Sequence, residues 1–238
     1  MDVPPHVPRA GPHADERGSA ARPADHPGGA DSRVRRGAPP IASLARDWFA
    51  RDTTTVAQEL IGCTLVVDSG TAQRVVARIV EAEAYLGTRD PASHAFRGPT
   101  PRAGIMFRAP GHLYVYLSYG MHHCANIVTE PDGVAGAVLL RAASVEHGLD
   151  VVRARRGATM AMDALLRGPG NLCRGLALSL LDNGLDLCAA ESRVHVEPRA
   201  ATPPLSVGPR VGITVGAGRR LRFAWRAHPA VSSPSPSR

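Results

Sequence analysis

The sequence predicts an α+β fold: a single domain built on a curved, largely antiparallel sheet, with flanking helices and one protruding β-hairpin. Three observations lead there. The 238-residue chain suits one well-buried core and contains no internal repeat. Its segments run as strands in succession, then two helices, then strands again, without the alternation that builds parallel βαβ sheets. Two pairs of strand-like runs also lie close enough along the chain to close as hairpins.

The elements follow in order. "TTTVAQELIG" offers Thr55 as an N-cap with Gln58 three residues on, Val56 and Leu60 on one face, and Gly62 as a stop, which predicts a short helix. "TLVVD" and "RVVARIVEAEAYL" are rich in β-branched residues and predict a hairpin around Ser69-Gly70. "HLYVYL" and "CANIVT" predict a second hairpin, and "GAVLLRAA" a further strand. "EHGLDVVRARR" and "NLCRGLALSLL" have helical spacing, with Leu172, Leu176 and Leu180 stacked at i, i+4 behind a Gly-Pro-Gly turn. "RVGITV" and "LRFAW" close the domain as strands.

Composition sets the boundaries. Residues 1–40 are rich in Pro, Gly, Ala, Arg and Asp and cannot bury enough apolar surface to offset ordering, so they predict a disordered arm. The folded domain is expected over 41–228, and "PAVSSPSPSR" (229–238) as a loose tail. The formal charge is +7, and every one of the 28 basic residues is arginine. The planar guanidinium fork matches phosphate oxygens, although an arginine-rich composition can also arise from genome bias. Without lysine, no side-chain amine can form a Schiff base with an aldehyde. Cys63, Cys124, Cys173 and Cys188 are scattered, with no C-x-x-C and no tight His/Cys grouping, so neither zinc nor a disulfide framework is indicated. No apolar run approaches a bilayer span and the first residues lack the apolar core of a secretory signal. An intracellular, cytoplasmic or nucleoid protein without a membrane partner is expected.

Three of the four tyrosines fall within "LYVYLSYGM" (113–121). Strand alternation puts Tyr114 and Tyr116 on one face, while Tyr119, followed by Gly120, falls at the hairpin tip with Met121. A large aromatic at a tip gains little from packing unless it meets a partner or folds back on the core. The fourth tyrosine ends "VEAEAY", where alternation aligns Ile79, Glu81, Glu83 and Tyr85 on one face. Such a row is either a solvated edge or the wall of a cleft in which a carboxylate activates water. "HHC" (122–124) lacks metal-ligand spacing, and His94 in "DPASHAFRG" by itself reads as a loop histidine.

Taken in order, "VEAEAYLG", "DPASHAFRG", "TPR" with "GIMF", "PGHLYVYLSYGMHHCANI", "VLLRA" and "GPGNLCRGLAL" resemble the alkyladenine (3-methyladenine) DNA glycosylase family over about residues 45–226. The resemblance implies a monofunctional glycosylase of base excision repair, hydrolysing the N-glycosidic bond of alkylated or deaminated purines in double-stranded DNA. It implies a monomer working without metal or cofactor. By the same resemblance the hairpin is DNA-inserting: Tyr119 is the wedge that fills the gap left by a flipped nucleotide, and Met121 a neighbouring groove contact. Tyr85, His94 and Tyr116 match the residues that sandwich the extruded base, and Asn126 one that disfavours normal guanine. Glu83 matches the catalytic carboxylate and Arg141 a residue that helps hold the water and Glu83. Glu81 is expected to be structural and Tyr114 to support the hairpin. The chain departs from the family with Ala103 where Asn is frequent, and Cys63 and Asn171 where Lys is common.

Two rival readings accompany this one. A DNA-binding module of the same fold that has lost catalysis would keep Tyr119 and could dispense with Glu83. A small-molecule hydrolase would use Glu81 and Glu83, about 7 Å apart along one strand face, as an acid–base pair.

Overall fold

The computed structural model describes residues 43–232, Ser69 excepted. The arm expected at 1–40 and residues 233–238 of the expected tail lie outside the described residues, as does Ser69 in the first hairpin turn.

Eight strands form one antiparallel sheet: β1 Thr64–Val67, β2 Val75–Tyr85, β3 Leu113–Ser118, β4 His122–Val128, β5 Ala137–His147, β6 Val194–Glu197, β7 Leu205–Gly208 and β8 Arg222–Trp225. The order is β3-β4-β5-β2-β1-β6, with β8 bridging β2 and β7. The sheet curls into a half-barrel, so the α+β reading holds. Both expected hairpins form, with Thr64 opposite Arg78 in the first and Ser118 opposite His122 in the second.

The helices are short: α1 Arg46–Phe49, α2 Thr53–Leu60, α3 Leu149–Arg156 and α4 Pro169–Leu176. The cap of α2 is Asp52 and not Thr55, whose N–H donates to Asp52 Oδ1 at 2.9 Å. Such a cap contributes about 1 kcal/mol. Val56, Ala57 and Leu60 of α2, Val152 of α3, and Leu172 and Leu176 of α4 pack on one face of the sheet. Complete burial of a valine or leucine there contributes about 1.5–3 kcal/mol. Strand residues Leu65, Ala77, Ile79, Ala82, Leu113, Val115, Ile127 and Leu140 supply the facing layer.

Four further expectations are corrected. Leu180 does not continue α4: Ala177 takes a left-handed φ of 52° and ends the helix, and Leu180 lies half exposed in a separate 3-10 turn. Glu146 and His147 belong to β5, with α3 starting after Gly148. "RVGITV" is a loop and not a strand; Gly212 and Gly216 have φ of 75° and 65°, which interrupt extended backbone. Finally, order does not stop at residue 228. Ala230, Val231 and Ser232 are buried, the first two packed with Val80, Ala142 and Ala224.

Candidate active site

Opposite the helices, the second face of the sheet carries the site. On β3, alternation holds as expected: Leu113 and Val115 enter the main core, while Tyr114 and Tyr116 join a smaller cluster with Ala95, Ala103, Ile105 and Met106. On β2 it does not hold throughout. Ile79 pairs with Ala143 and Glu81 with Ala142, so Val80 is an extra residue, a β-bulge. Ile79 therefore faces the main core and Glu81 does not, correcting the four-residue row read from the sequence. Beyond the bulge, Ala82 and Ala84 face the core, and Glu81, Glu83 and Tyr85 take the other side. A second bulge answers on β5, where Glu81 pairs with Ala142 and Ala82 with Leu140, leaving Arg141 as the extra residue. The two bulges turn Arg141 toward both carboxylates.

Glu83 is fully buried. Its Oε1 accepts the Val211 N–H at 2.8 Å and lies 3.2 Å from Arg141 Nη1; its Oε2 accepts the Tyr85 hydroxyl at 3.0 Å. Burial pushes the Glu83 carboxyl above its ordinary range, opposed by Arg141, the Val211 N–H and the Tyr85 hydroxyl. The Tyr85 phenol is itself raised, by burial first and then by Glu83, so it stays a proton donor.

Glu81 is also fully buried but has no spare capacity. Its Oε1 accepts from Arg141 Nε at 2.8 Å, Arg222 Nε at 2.7 Å and the Ser232 hydroxyl at 2.8 Å, and its Oε2 from the Ser232 N–H at 2.7 Å. A carboxylate held by four charge-assisted or backbone donors does not serve as a general acid, which counts against the paired-carboxylate hydrolase.

A cavity of about 500 Å³ opens over this arrangement. Tyr85, His94, Tyr116, Tyr119, Asn126 and Arg141 all line it. Met121 does not; it borders a second cavity of about 560 Å³ with His122, His123 and Arg174. Glu83 sits behind the first cavity, beneath Tyr85, Arg141 and Val211.

His94 stands edge-on to Tyr116 with ring centroids 4.6 Å apart, and its Nδ1 meets the Tyr114 hydroxyl at 2.9 Å. Its pKa is pushed down to about 4, by burial first and then by the Arg102 guanidinium, so the imidazole is neutral at pH 7. The Asn126 amide donates to the Tyr114 carbonyl at 3.0 Å, which fixes it as a rigid wall. Tyr119 is 85% exposed on the pocket rim with φ 48°, followed by Gly120 at 68°. With Met121 N–H donating to the Ser118 carbonyl at 3.1 Å, these two left-handed residues make a type I′ turn. Glycine suits that geometry and tyrosine does not.

Several participants were not anticipated. Tyr114 lines the pocket and holds His94, beyond its expected support of the hairpin. Arg102 lies over the Tyr116 ring at 4.8 Å and lines the same cavity. Arg210 stacks on Tyr85 at 4.5 Å, pairs with buried Asp90 through its two terminal nitrogens, Nη1 and Nη2, and donates to the Ala84 carbonyl at 2.9 Å. Asp90 in turn accepts from Leu86 and Ala92 N–H groups and so pins the turn that leads to His94. A buried carboxylate would ordinarily titrate higher, but Arg210 and these N–H groups hold Asp90 below its usual range. An Asp-Pro turn is legible in the sequence; its arginine partner 120 residues away is not.

The departures from the family pattern are accommodated. Ala103 is buried in the pocket-side cluster, Cys63 donates to the Glu59 carbonyl, and Asn171 of α4 donates to the carbonyl of Arg167, just ahead of that helix. The four cysteines are free. Among the described residues no helix is long and apolar enough to cross a membrane.

Residues 47–229 match the profile of the methylpurine-DNA glycosylase family. A protein of Corynebacterium jeikeium is 45% identical over 202 residues, covering 81% of this chain and 92% of the relative. One of Rhodopseudomonas palustris is 47% identical over 193 residues, covering 81% and 89%. One of Mycobacterium leprae is 42% identical over 198 residues, covering 81% and 90%. All three bear the name "Putative 3-methyladenine DNA glycosylase".

Proposed function

The chain belongs to the methylpurine-DNA glycosylase family, and from that premise we propose that it flips a damaged purine out of duplex DNA and hydrolyses its N-glycosidic bond. The observation that carries the reading is Glu83: a fully buried carboxylate, oriented by three donors, at the back of an aromatic cavity whose rim holds an exposed tyrosine.

Tyr119 enters the stack from the minor groove as the base leaves, offsetting part of the few kcal/mol that extrusion costs, roughly. Met121 contacts the groove on the other side of the hairpin. The extruded base lies against Tyr85, Tyr116 and His94. A base alkylated on a ring nitrogen is cationic, and each aromatic face attracts it by about 0.5–2 kcal/mol. A neutral His94 avoids repelling it. The rigid Asn126 amide leaves no space for the exocyclic amine of normal guanine.

Water then attacks C1′ as the N-glycosidic bond breaks. The bonding electron pair leaves with the base, the new bond forms to the water oxygen, and the water proton passes to Glu83. The sugar is oxocarbenium-like at the transition state, so the Glu83 anion also stabilises developing positive charge. Arg141 favours the ionised form of Glu83 against its burial and borders the cavity where the water would sit. The chain has no lysine, so no side-chain amine captures the sugar aldehyde and the product is an intact abasic strand. Arginine contacts with phosphate release counterions, so duplex affinity falls as salt rises. The enzyme acts as a monomer on alkylated or deaminated purines of the 3-methyladenine, 7-methylguanine, hypoxanthine and ethenoadenine class.

Single-turnover base release from duplexes carrying hypoxanthine or ethenoadenine, and from methylated DNA, tests the reading. Release should drop by about 10²- to 10⁴-fold in Glu83→Gln, with strand breakage only after alkali. Tight, salt-dependent duplex binding without release from any substrate would favour the catalytically silent module instead.

A further inference from the structure

We propose that Ser232, in the segment expected from sequence to be loose, is a positioning residue that sets the Arg141 guanidinium against Glu83. The proposal rests on Glu83 being the catalytic carboxylate. Ser232 is buried, and it bonds three charged side chains at once. Its N–H donates to Glu81 Oε2 at 2.7 Å and its hydroxyl to Glu81 Oε1 at 2.8 Å. The same hydroxyl accepts from Arg141 Nη2 at 3.2 Å, and its carbonyl accepts from Arg222 Nη2 at 2.8 Å.

Arg141 is thereby held at each of its three nitrogens: Nε by Glu81, Nη2 by Ser232, and Nη1 beside Glu83. A guanidinium is planar, so two anchors fix its plane and deliver the third nitrogen to one place. With the Ser232 hydroxyl removed, the plane is free to turn about the bond from Nε to Glu81. Glu81 would also lose a donor to Oε1, and its unmatched charge would draw Arg141 away from Glu83. The segment is seated to do this work, because Ala230 and Val231 pack against Val80, Ala142 and Ala224.

Glu83 faces Tyr85 and Glu81 from its own strand, Arg141 from β5, Arg222 opposite it on β8, and the Val211 N–H from the loop. Arg141 is the cation in direct contact, so a looser Arg141 makes the buried carboxylate easier to protonate. The acid limb of the rate profile should then move to higher pH, a change that loss of folded protein alone does not produce.

The experiment uses the full chain with Ser232→Ala, Ser232→Thr and Glu83→Gln. Single-turnover release from a hypoxanthine duplex is followed against pH, beside duplex Kd and Tm. For Ser232→Ala we expect Kd and the plateau rate within about 2-fold of the parent. At the acid end its rate should fall by up to about 10-fold, the equivalent of one pKa unit. Ser232→Thr, which keeps the hydroxyl, should restore the parent profile. A folded Ser232→Ala protein with an unmoved limb, or with a uniform loss at every pH, overturns the proposal. If Ser232→Ala does not fold, Ser232→Cys, close in volume and a weaker donor, takes its place: a limb moved to higher pH supports the proposal, and an unmoved one overturns it. Parent-like release by Glu83→Gln would instead remove the premise, and the two failures are thus separable.

Discussion

The Tyr85 hydroxyl donates to Glu83 Oε2 at 3.0 Å, two positions along one strand and on one face. One side chain thus lines the proposed base cavity with its ring and steadies the proposed catalytic carboxylate with its hydroxyl. Tyr85→Phe separates these roles. The ring remains for stacking, but Glu83 loses a donor that opposes its upward shift. We expect duplex binding to change by less than about 2-fold while the acid limb of single-turnover release moves to higher pH. An unmoved limb would show that this hydrogen bond does not tune Glu83.

At the hairpin tip, Tyr119 holds a left-handed backbone that costs a non-glycine residue about 1–2 kcal/mol. Tyr119→Asn relieves part of that cost, since asparagine tolerates the conformation. Tm should hold or rise while base release from duplex falls. A drop in Tm on thermal unfolding would mean that the exposed ring supports the fold, contrary to its proposed role as a wedge.

His94 yields a prediction about stability. Its pKa is near 4 in the folded protein against 6.5 for the free side chain. Between those values the unfolded chain binds more protons, so stability falls as pH drops from about 6.5 toward 4. In His94→Gln, Tm should vary less steeply over that window, as thermal unfolding at several pH values would report. Equal slopes in parent and variant would sink the assignment.

Arg102 lies over the Tyr116 face at 4.8 Å, where a cationic base would compete with it. Arg102→Ala removes a like charge from the cavity. The ratio of 7-methylguanine to hypoxanthine release should rise by about 2- to 5-fold, corresponding to roughly 0.5–1 kcal/mol of exposed cation–π interaction. A ratio that stays constant would show that Arg102 leaves the cavity before the base arrives.

The sequence revealed what local periodicity controls. Tyr114 and Tyr116 share a face because β3 is regular, and the tip at Tyr119 follows from strands that pair on either side. The main errors lie where a single residue changes the phase or ends an element. Val80 slips the register of β2 by one and sends Ile79 to the core, and β-branched content elsewhere is shared by bulged and regular strands. Leu180 fits a helical stripe, but Ala177 turns the backbone out of it first. The loop at Val211 looks like a strand by composition, yet its N–H is bound to Glu83. Partners such as Asp90 with Arg210, or Glu81 with Ser232, are over 100 positions apart and leave no local pattern.

Glu81 meets Ser232 across 151 positions, and two of the strands that pair with β2, β5 and β8, are made after it. A chain still being translated holds the carboxylate strand long before it holds the residues that complete its surroundings. Contacts of such long range form late in folding. Base-releasing activity should accordingly arrive only once the chain reaches Ser232. A nascent or prematurely terminated product that stops short of residue 232 would carry the carboxylates of β2 without the residue that holds Glu81 and Arg141.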